Sequence, residues 1–150
     1  MLGLEHPLTL AAHITLAQTF ADQGKYAEAE TEARAAVKLS EKMLGPQHSL
    51  TMEARTALGQ ALLQETRYTD AEGEFRAVLK IQEKVLGLEN PDTLRTCFDL
   101  AICLRSESNL QEASTFAQRA ADGARKVLGP DHPDTKKYEQ LRQDLLAKEG

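Results

Sequence analysis

Apolar and polar positions along this chain alternate with a helical beat. Between Tyr26 and Leu44, the residues Ala29, Ala33, Ala36, Val37 and Leu44 fall at the 3.6-residue spacing that lines one side of a helix, leaving Glu28, Glu32, Lys38 and Glu41 for water. The stretch from Leu94 to Leu104 differs. There Leu94, Cys97, Phe98, Leu100, Ala101, Ile102, Cys103 and Leu104 surround too much of the helix for one buried stripe, so it is expected to be touched on more than one side. Asp134 to Lys148 puts Tyr138, Leu141, Leu145 and Leu146 on one face and Lys137, Gln140, Arg142, Gln143, Asp144 and Lys148 elsewhere, and reads as a polar lid. β-branched residues are too scattered for strands while Ala, Leu, Glu, Gln, Lys and Arg abound, so the chain is expected to be all-α.

The pattern repeats. Leu2-Gly3-Leu4-Glu5-His6-Pro7-Leu8-Thr9-Leu10 returns as Leu44-Gly45-Pro46-Gln47-His48-Ser49-Leu50-Thr51-Met52, then from Leu86 and again from Leu128, a period of 42 residues without insertion. A second marker, Gly24-Lys25-Tyr26, recurs as Thr66-Arg67-Tyr68 and Ser108-Asn109-Leu110 and divides each unit into two helices, about Pro7 to Asp22 and about Tyr26 to Leu44 in the first. This gives a single domain of three repeats, 2–43, 44–85 and 86–127, with a capping helix at about 133–149. It starts and stops in register with a repeat, as a segment of a longer array would.

Pro7, Pro91 and Pro133 suit the first helical position, where no backbone donor is needed, which places His6, Asn90 and His132 at the N-cap, with Ser49 or His48 serving in the second repeat. Gly45, Gly87 and Gly129 follow the second helix where a left-handed residue closes it, and Lys42, Lys84 and Lys126 set positive charge against its dipole. Glu30 and Arg34 recur as Glu72 and Arg76, i, i+4 pairs worth about 0.2–0.5 kcal/mol each.

Charge and chemistry narrow the function. A net charge of −5 argues against a phosphate-binding surface, so no nucleic acid is expected. Cys97 and Cys103 sit on one helix, turned away from each other among apolar neighbours, and read as reduced, buried thiols of a cytoplasmic protein. No signal peptide or membrane span is expected. His6, His48 and His132 lie a repeat or more apart and cannot share an ion, and no Cys/His set has zinc spacing. Without a Ser/His/Asp arrangement, a phosphate-cradling glycine loop or HExxH, neither catalysis nor a cofactor is expected.

On these residues the chain resembles tetratricopeptide repeats over its whole length. The family's interlocking positions fall on Leu16, Ala17, Phe20, Tyr26, Ala29 and Ala36, then Leu58, Gly59, Leu62, Tyr68, Ala71 and Val78, then Leu100, Ala101, Leu104, Leu110, Ala113 and Ala120. The 42-residue period and the joint Leu128-Gly129-Pro130-Asp131-His132-Pro133-Asp134-Thr135 look like the variant of kinesin light chains and of many bacterial multi-repeat proteins. The resemblance implies a right-handed superhelical α-solenoid of antiparallel helix pairs, acting as a protein-binding scaffold. The paired asparagines usual on the inner face of the first helix are replaced by Ile14 and Thr15, Thr56 and Ala57, Phe98 and Asp99, so an asparagine ladder along a peptide backbone is not implied. Nor is the Lys, Asn and Arg set that grips a terminal carboxylate in chaperone-tail-binding members.

By the same resemblance the concave wall maps to Ala11, Ile14, Thr15, Gln18 and Asp22, to Glu53, Thr56, Ala57, Gln60 and Leu63, and to Arg95, Phe98, Asp99, Ile102 and Arg105. Phe98, Ile102, Leu63 and Ile14 are the expected apolar anchors, and Arg95 and Arg105 flank a ligand carrying carboxylates. The expected partner is a protein or peptide, amphipathic or acidic. The competing expectation is a self-associating structural segment, stacking end to end through the face of the first helix.

Overall fold

The computed structural model describes residues 6–149, so Met1 to Glu5, which carry the first joint, and Gly150 lie outside the described residues. Among the described residues seven helices follow one another: α1 (Pro7–Asp22), α2 (Tyr26–Leu44), α3 (Ser49–Gln64), α4 (Tyr68–Val85), α5 (Pro91–Ser106), α6 (Leu110–Leu128) and α7 (Pro133–Glu149). There is no strand among the described residues. The fold is an all-α repeat.

The helix ends have the chemistry that the sequence assigned them. At α1, α3, α5 and α7 a side chain preceding the helix accepts a backbone N–H two residues on: Leu8 N–H reaches His6 Nδ1 at 3.1 Å, Leu50 reaches His48 at 3.2 Å, Asp92 reaches Asn90 Oδ1 at 2.9 Å and Asp134 reaches His132 at 3.1 Å. In the second repeat the cap is therefore His48. Gly45 and Gly129 close α2 and α6 at φ of 83° and 91°, a region where only glycine sits without strain. The turn between the helices of each hairpin also needs a left-handed residue. That place holds Gly24 at φ 73° in the first repeat, but Thr66 at 61° and Ser108 at 65° in the other two.

Two compact units divide the chain, Met1–Glu74 and Phe75–Gly150, the cut falling inside α4. In the first, α2 packs on both α1 and α3, and Leu10, Ile14, Ala36 and Ala54 form a core that Val37, Leu39, Leu44 and Leu50 surround. Alanine lets α2 approach its neighbours closely: Ala29, Ala33 and Ala36 are all buried. Two of its acidic residues expected to face water are instead drawn into side-chain contacts between helices. Glu32 meets His13 of α1 at 2.6 Å, and Glu41 meets Arg55 of α3, which also holds Glu74 at 2.7 Å. Burial opposes the charge on Arg55, but the two carboxylates outweigh it and hold its pKa above the usual value.

In the second unit α6 packs on α5 and α7 through Ala113, Ala117, Ala120, Ala121 and Ala124. Helix α5 is touched on several sides, as its composition requires, with everything from Leu94 to Leu104 buried except Arg95 and Ile102. Gly123 of α6 faces Leu94 so closely that a Cβ there would lie 2.4 Å from a Leu94 methyl. Tyr138, Leu141 and Leu145 of α7 are buried, whereas Leu146, expected on the same face, is 54% exposed. Leu146 lies five residues beyond Leu141, which swings it off the stripe by about 140°.

Candidate functional site

The residues assigned to an inner wall fall into two groups, one in each unit. In the first, Gln18 and Asp22 of α1 and Glu53 of α3 are exposed, while Thr56, Gln60 and Leu63 are half-buried. Gln18 Nε2 donates to Glu53 Oε1 at 3.4 Å, so this part of the wall is polar and acidic. Thr56 donates its hydroxyl to Met52 O of the preceding turn at 2.9 Å. Ile14, expected as an apolar anchor, is 3% exposed and belongs to the hydrophobic core, where it meets residues of α2 and α3. Its side chain serves packing.

In the second unit Arg95, Phe98, Asp99, Ile102 and Arg105 all project from α5. Phe98 is 6% exposed, because the Tyr138 ring of α7 stacks on it with centroids 4.6 Å apart and planes 27° from parallel. Lys137 Nζ lies over the Phe98 ring, 4.9 Å from its centre, which adds a cation–π contact to the aromatic pair. Asp99 is buried, and Ile102 and Arg105 are half-buried. Burial is the main cause that pushes the Tyr138 phenol well above its usual range, with Asp134, Asp99 and Asp92 adding to it and Arg95 opposing.

Tyr138 and Lys137 were missing from the sequence reading of this site. Repeat register carries a signal for Tyr138: its place holds Ala12, Ala54 and Thr96 in the preceding units. An aromatic where three predecessors are small marks a helix that contributes bulk to its neighbour.

Arginine pairing distinguishes α5 further. Arg34, Arg55, Arg67, Arg76, Arg119, Arg125 and Arg142 each have a carboxylate partner. Glu30 shows how firmly such pairs are held: burial raises its pKa, yet Arg34 and Arg67 together pull it below the ordinary carboxylate value. Among the described residues Arg95 and Arg105 have no carboxylate partner.

Neither cysteine is disposed to react. Cys97 and Cys103 are buried and form no disulfide, and burial pushes Cys97 up to about 11, which leaves it protonated at neutral pH. No group of three or more His, Cys, Asp and Glu able to hold a metal occurs among the described residues, and none of their helices is long and apolar enough to cross a membrane.

Stacked helical hairpins with a fixed beat and no assembled reactive centre define a class of repeat protein. The tetratricopeptide repeat family profile matches residues 8–84 and, in an overlapping register, 50–126, and the chain belongs to that family. Its members generally act as protein-interaction scaffolds. Among solved structures, the nearly identical TPR-like repeats of a candidate kinesin light chain from Podosopora anserina superpose with a TM-score of 0.85 at 23% identity over 93% of this chain. A glutamine-to-methionine variant of those repeats gives 0.85 at 24% identity over the whole chain, and BtubC (BKLC) from P. vanneervenii gives 0.84 at 16% identity over 92%. This chain spans 66%, 71% and 55% of the lengths of those three chains. No curated protein matches the sequence.

Proposed function

We propose that the chain is a cytoplasmic protein-interaction scaffold that captures an acidic, partly apolar segment of a partner polypeptide on its first-of-pair helices. In the second unit the binding residues are Arg95, Ile102 and Arg105 of α5, with Phe98 and Asp99 shaping the surface beneath them. In the first they are Gln18, Asp22, Glu53, Thr56, Gln60 and Leu63 of α1 and α3, over Ile14. The observation that carries this reading is the pairing of arginines. Seven guanidinium groups are already neutralised within the fold, and the two left over lie on the same helix.

Ten residues along a helix separate them by about 15 Å, a span that an extended segment with carboxylates four or five residues apart matches. Ile102, part-exposed between them, offers the apolar contact. Such recognition is charge-assisted and therefore weakens with salt.

The test is fluorescence anisotropy with labelled peptides that combine Glu or Asp with Leu or Trp, against scrambled and Lys-substituted controls. Arg95→Glu with Arg105→Glu should weaken binding of the acidic peptides by tenfold or more, and added salt should do the same to the unaltered chain. Equal binding by the double variant discards α5 as the site.

A further inference from the structure

In the first unit an open hollow of about 280 Å³ lies where α2, α3 and the first turns of α4 meet. Its walls come from two successive hairpins, whose packing on each other forms it. Leu58, 2% exposed, and half-buried Val37 give it an apolar floor, while Arg34 and Lys38 of α2 are exposed at its rim. Most of its charges are already met. Arg55 holds the carboxylates of both Glu41 and Glu74, and Arg34 is paired with Glu30 at 2.7 Å. Lys38 has no carboxylate partner among the described residues.

Forty-two residues on, the same register in the second unit is filled from within. Arg76, Leu79 and Leu100 repeat Arg34, Val37 and Leu58, but Cys97 and Phe116 stand where the first unit has Arg55 and Glu74. An ion pair is thus exchanged for a thiol and a ring. Arg76 lies over that ring, its Cζ 5.9 Å from the Phe116 centroid, and Leu79, Cys97 and Leu100 are covered at 6%, 0% and 0% exposed. The fold therefore seats a phenyl ring beneath an arginine at this place. In the first unit the arginine and the apolar floor are present without the ring.

The size of the hollow sets the occupant. It falls just short of the ~300–1,000 Å³ typical of small-molecule sites and suits one large side chain, the kind of aromatic anchor on which protein interfaces concentrate their energy. Lys38 stands one turn beyond Arg34, about 6 Å along α2. Neighbouring residues of an extended peptide are about 3.8 Å apart, so a carboxylate next to the aromatic residue, or one further, reaches it.

We propose that this hollow receives an aromatic side chain of a partner polypeptide, seated under Arg34 on Val37 and Leu58, with an adjacent carboxylate of that partner meeting Lys38. The site stands independently of ligand capture on α5.

The probe is a blocked peptide, acetyl-Ser-Gly-Trp-Glu-Gly-Ser-amide, titrated to about 5 mM into nitrogen-15-labelled protein and followed by amide chemical shifts. Saturable shifts at Val37, Lys38 and Leu58 are expected, with a dissociation constant on the order of 1 mM, and Leu in place of Trp should weaken binding about fivefold or more. Arg55→Cys with Glu74→Phe installs the pair that the second unit uses and should abolish the shifts. Lys38→Glu, at an exposed position, should weaken binding about fivefold, both variants keeping the parent circular dichroism. No saturable shift at the hollow, undiminished binding by Lys38→Glu, or equal binding of the Leu peptide overturns the proposal. So does binding of free indole-3-acetate without binding of the peptide, since the occupant would then be a small molecule. Shifts confined to α5, and removed by Arg95→Glu with Arg105→Glu, overturn it while leaving the α5 site standing.

Discussion

Of the glycines inside helices, Gly73 and Gly123 have opposite consequences. In α4 Gly73 is exposed, and a Cβ there would meet nothing within 4 Å. Gly73→Ala therefore recovers helix propensity without a steric cost, a gain of about 1 kcal/mol. In α6 a Cβ on Gly123 would lie 2.4, 2.9 and 3.2 Å from Cδ2, Cδ1 and Cγ of Leu94, which is itself 1% exposed. Leu94 would have to rotate within packed surroundings, and overpacking of that kind costs about 1–3 kcal/mol. The propensity gain offsets part of this, so Gly123→Ala should lose about 1 kcal/mol net. Urea titrations of both variants, followed by circular dichroism at 222 nm, should place them on opposite sides of the parent by about 2 kcal/mol in total. A Gly123→Ala variant as stable as Gly73→Ala would refute the argument, since the close approach of α6 to α5 would then not depend on the missing methyl.

Two further outcomes follow from groups already described. Thr66 holds a left-handed conformation that its counterpart Gly24 adopts freely. Thr66→Gly should therefore raise stability by about 1 kcal/mol despite the added freedom of the unfolded chain, and thermal unfolding would count against strain at this turn if the midpoint fell. Cys97 keeps its proton in the folded chain up to about 11, whereas in the unfolded chain the thiol ionises near 9.0. Folding then binds more protons than unfolding, so stability is full below pH 9 and declines as pH rises towards 11, and Cys97→Ala should flatten that decline. A pH series of urea midpoints that is flat for the parent would remove burial as the cause.

Much of the fold was legible because its boundaries rest on local chemistry. Proline after a capping His or Asn, glycine at the helix end and a fixed beat define elements without reference to anything distant, and α1, α2 and α7 begin and end where those signals stand. The surface was harder to read. Glu32 and Glu41 look like solvated charges along α2, and their recruitment by His13 and Arg55 depends on which helix lies opposite. Phe98 and Ile14 sit in register with groove residues, yet each is covered, Phe98 by a ring forty residues away in sequence and Ile14 by α2 and α3. Register gives a side chain's direction, and only the neighbour decides whether it meets water. Arg95 and Arg105 were legible as positions. Their freedom from carboxylates emerges once every other arginine has been traced to its partner.

Four bridges, Arg67 with Glu30 at 2.9 Å, Arg76 with Glu112 at 2.7 Å, and Arg119 with Glu83 and Lys126 with Glu89, both at 2.5 Å, run from one hairpin to the next, 36 or 37 residues away. The hairpins themselves are glued by alanine and leucine, which salt scarcely affects, while these bridges, exposed or half-buried, are screened by it to the extent that water reaches them. Within each unit the hold of one hairpin on the next is therefore open to tuning by the surrounding electrolyte, while the apolar packing inside a hairpin is not.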